Sequence, residues 1–165
     1  MTESSDSKEL RPGLWQTVND RYPGSMISNS DTVRLATLSK PLSQSRICFV
    51  STSGVQPKGT LPFDTVHPVG DYSFRRVPSG SKPDDLEIHQ LKYPTFGAKE
   101  DLNVIFPIQR LQELVVEGAI GGLTKNFYTF IGYNMDPQRL QNTLAKDLAA
   151  AIAEEKPDAV IAAPA

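Results

Sequence analysis

The sequence predicts a layered α/β domain: a small, mostly parallel sheet flanked by helices, with a long Pro/Gly-rich loop region. Three observations carry that expectation. Ile47-Cys48-Phe49-Val50 is a short apolar run closed by Ser51-Thr52-Ser53-Gly54, the pattern of a buried strand leading into a turn. From residue 101 onward, strand-like and helix-like segments alternate. Lastly, Leu140, Leu144, Leu148 and Ile152 step every four residues and lead into the apolar run Asp158–Ala163. A helix joining two strands in this way predicts a right-handed parallel crossover.

Taken in order, residues 1–30 read as a polar N-terminal extension, with a disordered start expected. Trp15, Val18 and Tyr22 have the spacing of a short amphipathic helix there. Residues 31–165 then form a single α/β domain. Its first strand spans Arg46 to Thr52. From Gly54 to Ala98 the chain is rich in Pro and Gly and lacks sustained periodicity. Such a stretch is either functional or hides short elements, and this one holds both histidines and Arg75-Arg76. Leu102–Phe106 is a candidate short strand. Pro107 suits a first helical turn, and Ile108, Leu111, Leu114 and Val115 follow at helical spacing up to the stop at Gly118. Asn126–Tyr133 reads as a strand. Asp136 and Pro137 supply an N-cap and first-turn proline for the helix of leucines, with Ala145 and Ala149 beside them. Lys156-Pro157 ends that helix, and Asp158–Ala163 reads as a buried strand at which the chain stops.

Bulk composition bounds the function. The 165 residues suffice to bury about 70% of the unfolded surface. With 39% hydrophobic and 22% charged residues and a formal net charge of -2, nothing supports a nucleic-acid partner, which needs a dense basic patch. No apolar stretch approaches the roughly 20 residues that span a bilayer, and the polar, acidic first residues do not form a signal peptide. A cytoplasmic location is the expectation. The single cysteine, Cys48, excludes an intrachain disulfide and a cysteine-based zinc site. Within its apolar run it reads as a buried hydrophobe rather than a reactive thiol. His67, His89 and the acids near them show no metal-ligand spacing, so no metal is expected.

Generic motifs are sparse: there is no Walker A, no GxGxxG and no nucleophile elbow. Ser51–Gly54 is either an ordinary turn or an anion site built from amides and hydroxyls. His67 and Asp71 lie four residues apart, so the carboxylate can orient the imidazole for acid–base work. Arg75 or Arg76 can grip a carboxylate through two N–H groups. Equally, these polar groups can simply hold one another and the loop backbone. A His-dependent hydrolase would need Ser73 or Ser79 as nucleophile, and neither sits in a strand–turn–helix elbow.

Read together and in order, several segments resemble a known family. Pro41–Val55 (PLSQSRICFVSTSGV) resembles the opening strand and Ser/Thr/Gly turn of the selenoprotein B components of glycine, sarcosine and betaine reductase, among whose relatives is the D-proline reductase selenoprotein. Pro62-Phe63-Asp64 follows in place, and Gly70–Arg76 (GDYSFRR) resembles the family's Gly-Asp-x-Ser-x-Arg element. Ile88–Tyr93 (IHQLKY) resembles a segment carrying a family histidine. Asp101–Leu123 (DLNVIFPIQRLQELVVEGAIGGL) is the most specific match, to Asp-x-Asn-x-x-Phe-Pro-x-x-Arg-Leu ending in Gly-x-Ile-Gly.

The resemblance implies reductive cleavage of a C–N or similar bond in a small amino or imino acid, by a thiol or selenol mechanism. Other reductase subunits would be partners, one bearing a pyruvoyl group, in a homo- or hetero-oligomer. It implies catalytic roles for His89 and Asp71. It implies substrate contacts for Ser53, Gly54, Ser73, Arg75 and Arg110, with Asp101 and Asn103 shaping the walls. A structural role is open for Asp101, Asn103 and Arg110. The resemblance implies a selenocysteine or cysteine nucleophile shortly after the last strand, beyond residue 165; Cys48 on the first strand does not match it, and no cofactor is expected in this chain. The expectation is therefore a chain truncated at a selenocysteine codon, a fragment, or a relative without the nucleophile. The alternative is a non-enzymatic subunit binding a small acid or a partner.

Overall fold

The computed structural model describes Thr17, Asp20, Arg21, Pro23, Ala36–Leu91 and Tyr93–Ala165. The chain divides into two units, Met1–Thr32 and Val33–Ala165. In the first, Thr17, Asp20 and Arg21 are helical. Trp15, Val18 and Tyr22, which the sequence places on a helix, lie outside the described residues.

The second unit is mixed α/β. Its five-stranded sheet is organised around β1 (Arg46–Ser51). One edge of β1 pairs in parallel with β7 (Ala159–Ala163), from Ile47↔Ala159 to Ser51↔Ala163. The other edge pairs in parallel first with β5 (Gly122–Leu123) and then with β6 (Asn126–Thr129). β3 (Arg75–Pro78) adds an antiparallel strand on β6. Apart from it, β2 (Val55–Pro57) and β4 (Leu86–Ile88) form an antiparallel pair. The Gly54–Ala98 region is thus not one long loop. It hides three strands of three or four residues, too short and too Pro-interrupted for a period to register.

Alternation along β1 divides the core. Phe49 points to a layer with Val55, Val77, Phe106, Ile108, Leu111 and Phe127. There Phe49, Phe106 and Phe127 meet edge to face, with ring centroids 5.3, 5.9 and 6.2 Å apart. Cys48 and Val50 point the other way, onto Tyr128, Leu148 and Ala151. The helices follow from caps and apolar stripes. α1 is Phe96–Glu100, and α2 (Ile108–Val116) buries Ile108 and Leu111. α3 (Pro137–Arg139), a π-helical stretch (Leu140–Leu144) and α4 (Ala145–Glu155) run consecutively. Asp136 caps α3 by accepting from the Arg139 amide at 3.0 Å.

Four expectations are corrected here. Leu102–Val104 is a 3₁₀ turn rather than part of a strand, because the Asp101 carboxylate accepts the Asn103 amide and bends the backbone. The strand expected over 126–133 is regular only to Thr129, beyond which Ile131 and Asn134 make isolated bridges. Ala151 completes the buried stripe with Leu144 and Leu148, while Ala145 and Ala149 beside the leucines are exposed, because steps of four and three residues keep to one face of an α-helix. Finally, β7 is an edge strand rather than a buried one: Val160 and Ile161 are 44% and 45% exposed.

Candidate functional site

The carboxyl ends of β1, β6 and β7 lie side by side, and β3 begins next to them. Ser51, Thr129 and Arg75 occupy one row across β1, β6 and β3. In open α/β sheets this end is where ligands bind. Two side-chain clusters flank it.

The first cluster is the turn after β1. Its amides close the sheet end: Thr52 N donates to the Ala163 carbonyl at 3.4 Å and Gly54 N to the Phe130 carbonyl at 3.1 Å. Ser53 N donates to Ser51 Oγ at 3.2 Å. With all three amides engaged, the turn has no ready anion cradle. Ser53 Oγ and Thr129 Oγ1, by contrast, are buried without a hydrogen-bond partner. The Tyr93 hydroxyl donates to the Ser53 carbonyl at 2.8 Å, and burial pushes that phenol's pKa up. Gly54 has φ +66°, and a Cβ there would lie 2.5 Å from the His89 carbonyl oxygen. That close approach lets His89 N donate to the Gly54 carbonyl at 2.9 Å. The His89 ring places Nε2 3.2 Å from Glu87 Oε1.

The second cluster precedes β3. Asp71 accepts from Asp64 N at 2.8 Å and from Ser73 N at 2.7 Å, and it also binds Ser73 Oγ. Arg75 donates through Nε to the Leu61 carbonyl (3.0 Å) and through Nη2 to the Pro62 carbonyl (3.1 Å). Its Nη1 serves Ser73 Oγ (2.8 Å) and the Phe74 carbonyl (3.1 Å). Four of its five N–H donors are thereby engaged within the chain. The guanidinium also lies 4.1 Å over the Phe63 ring. Burial lowers the Arg75 pKa, and the nearby Asp71 charge opposes that shift. The pairing of His67 with Asp71 does not form. His67 Nδ1 instead accepts from Val69 N at 3.3 Å, and the Asp71 oxygens face Asp64 and Ser73.

The structure thus gathers Ser53, Gly54 and His89 in one cluster and Asp71, Ser73 and Arg75 in the other. Arg110 belongs to neither: it is exposed on α2 and pairs with Glu113 at 2.8 Å. Asn103 links the 3₁₀ turn to α2, accepting from Gln109 N at 3.1 Å and donating to Gln109 Oε1 at 2.8 Å. Asp101 is held below the usual carboxylate range, first by the Asn103 amide and then by its side chain. Glu87 and Thr129 also lie among these residues, and reading the sequence did not single them out. Only the Glu-x-His spacing of residues 87 and 89, which puts both side chains on one side of an extended chain, was available as a signal.

Cys48 does not fit the part of a thiol nucleophile. It is fully buried on β1, its Sγ facing the carbonyls of Asn126 (3.8 Å) and Phe49 (3.9 Å). Burial raises its pKa, which suppresses the thiolate. Among the described residues, no helix is long and apolar enough to cross a membrane.

Comparison with known proteins adds to this geometry. Residues 20–164 match the family described as glycine/sarcosine/betaine reductase selenoprotein B. The chain is 27% identical over 124 residues to D-proline reductase subunit gamma of Acetoanaerobium sticklandii, an alignment covering 75% of this chain and 50% of that protein. It is 29% identical over 96 residues to glycine reductase complex component B subunit gamma of Carboxydothermus hydrogenoformans, covering 56% of this chain and 22% of that protein. The matched region thus spans half or less of these curated relatives. No solved structure matches the chain.

Proposed function

Because the chain belongs to the glycine/sarcosine/betaine reductase selenoprotein B family, we propose that it is the substrate-holding part of a multi-subunit reductase. The reaction is cleavage of a C–N or similar bond in a small amino or imino acid. A dithiol supplies two electrons and ends as a disulfide. The bonding pair leaves with the departing nitrogen, which takes a proton, and the carbon gains hydrogen.

One observation carries this reading: the clusters containing His89 and Asp71 flank the carboxyl ends of the parallel strands, while the one thiol in the chain is sealed inside the sheet. The chain can therefore hold and protonate a substrate but draws its redox sulfur or selenium from elsewhere in the assembly. In this reading His89 is the proton donor. Asp71, Ser73 and Arg75 form a preorganised wall. Arg110 makes no contact with either cluster and is left to the outer surface. The names of the relatives, both subunits of reductases, support the multi-subunit form.

A second reading, a non-enzymatic acid-binding or partner-binding subunit, is favoured by the engagement of Arg75 and the exposed edge of β7. Reconstitution separates the two. The chain is mixed with the thiol- or selenol-bearing subunits of such a reductase, a dithiol and proline or glycine, and product is measured. Turnover that needs this chain, and disappears with His89→Gln, is the expected result. Turnover indifferent to the chain or to His89 overturns the enzymatic reading.

A further inference from the structure

A chain of polar contacts leads from the sheet interior to His89 through Gln56 and Glu87. Gln56 is fully buried in β2. Its Nε2 donates to the Thr60 carbonyl at 3.3 Å and to Glu87 Oε1 at 3.2 Å. Strand pairing sets this up, since Gln56 is the direct cross-strand partner of Glu87. Two residues further along, on the same strand face, His89 brings Nε2 to 3.2 Å from the same Glu87 oxygen. The His89 backbone is anchored as well, because His89 N donates to the Gly54 carbonyl at 2.9 Å.

A carboxylate oxygen accepts and does not donate, so His89 must carry its proton on Nε2 when neutral. Nδ1 is then the atom left to take up and release the working proton. Gln56 is held by the Thr60 carbonyl, and it fixes the carboxylate that fixes the ring. A buried amide that leaves its own Oε1 without a partner is costly, which argues that its N–H direction matters. The Glu87 and His89 side chains are 34% and 29% exposed, open enough for a small molecule to reach. Glu87 also lines a groove of about 430 Å³ shared with Lys58, Asp84, Lys99 and Glu100.

We propose that Glu87, oriented by Gln56, is the positioning residue for His89, holding the imidazole in the Nε2–H tautomer with Nδ1 presented to the substrate. This rests on the reading of His89 as proton donor. When the leaving nitrogen takes the Nδ1 proton from the imidazolium, the ring returns to the neutral Nε2–H form bound to Glu87. It is recharged from solvent, and no electrons pass through it.

The chain has two histidines, which makes the test direct. In ¹⁵N-edited NMR of the 165-residue chain, His67→Gln assigns the two rings. The expected wild-type result is a detectable His89 Nε2–H proton with Nδ1 at the unprotonated limit, and no such proton for the exposed His67. Glu87→Ala should erase that proton signal. Glu87→Asp, which keeps the charge but withdraws the oxygen, covers the case in which the alanine variant does not fold. A His89 spectrum unchanged by either variant overturns the proposal. In the reconstituted reductase, Glu87→Ala should lower kcat on the order of tenfold with little change in KM, and Glu87→Gln should restore part of it. If His89→Gln leaves turnover intact, the reading of His89 fails. If His89→Gln abolishes turnover while Glu87→Ala does not reduce it, the positioning role fails alone.

Discussion

Arg46 and Asp158 bind each other reciprocally: the Arg46 amide donates to Asp158 Oδ2 at 2.7 Å, and the Asp158 amide donates to the Arg46 carbonyl at 2.8 Å. Lys40 adds an ion pair to the same carboxylate at 2.9 Å. This clasp sets the register in which β7 joins β1. It holds the Asp158 carboxyl below its ordinary range, chiefly through the Arg46 amide and then through Lys40.

The sign of the pH dependence follows. A depressed folded-state pKa contributes stability above the unfolded value, near 3.9, and loses it as pH falls through the folded value. Asp158→Asn is expected to lower stability at pH 7 and to flatten this part of the acid limb. Urea unfolding at pH 7 and pH 3 measures both; equal losses at the two pH values would contradict it.

Phe106 is fully buried and meets both Phe49 and Phe127 edge to face. Phe106→Ala should cost about 3–5 kcal/mol, a transfer loss plus an unfilled cavity. The urea midpoint should fall with an unchanged slope, and a loss below about 1 kcal/mol would mean that the cluster closes over the gap.

Replacing Arg75 by Lys keeps the charge but not the planar fork that reaches the Leu61 and Pro62 carbonyls together. The expected effect is about 1–3 kcal/mol, concentrated in the loop. Hydrogen exchange should quicken at the Asp64 and Ser73 amides, which the Asp71 carboxylate holds, and stay unchanged in β1.

Cys48 should resist alkylation at pH 8 in the folded chain and react fully in urea. Its thiol is buried and its pKa is raised. Rapid modification of the native chain would contradict the assignment of redox chemistry to another part of the assembly.

The outer edge of β7 exposes Val160 and Ile161. Ile161→Lys should shift the stability of the isolated chain by only about 0.5 kcal/mol. It should weaken binding to a partner reductase subunit on the order of tenfold or more, read by sedimentation of the mixture, if β7 is the contact edge. Unchanged association would place the contact elsewhere.

Several elements were legible from local chemistry. The β1 run, the Asp136 cap, the leucine stripe through Leu144 and Leu148, and the burial of Cys48 all follow from residue type and spacing. The 3₁₀ turn at Leu102–Val104 did not, because a side chain there competes with the backbone for its own hydrogen bonds. Nor did β2, β3 and β4, whose existence depends on distant partners rather than on any period of their own. The histidine chemistry was half legible. His89 stood out through the family resemblance, but its carboxylate did not.

By itself the sequence determined β1, the helix after Pro107, the leucine-striped helix before β7 and the family. Each of these is written in local patterns of burial, capping and motif order. Only the tertiary structure decided which carboxylate meets which imidazole: not Asp71 with His67 four residues away, but Glu87 with His89 under the amide of Gln56. It also decided that β7 is an edge rather than a core strand. Local patterns state what a residue prefers. A hydrogen-bond partner is set by strand register, and register is a property of the assembled sheet.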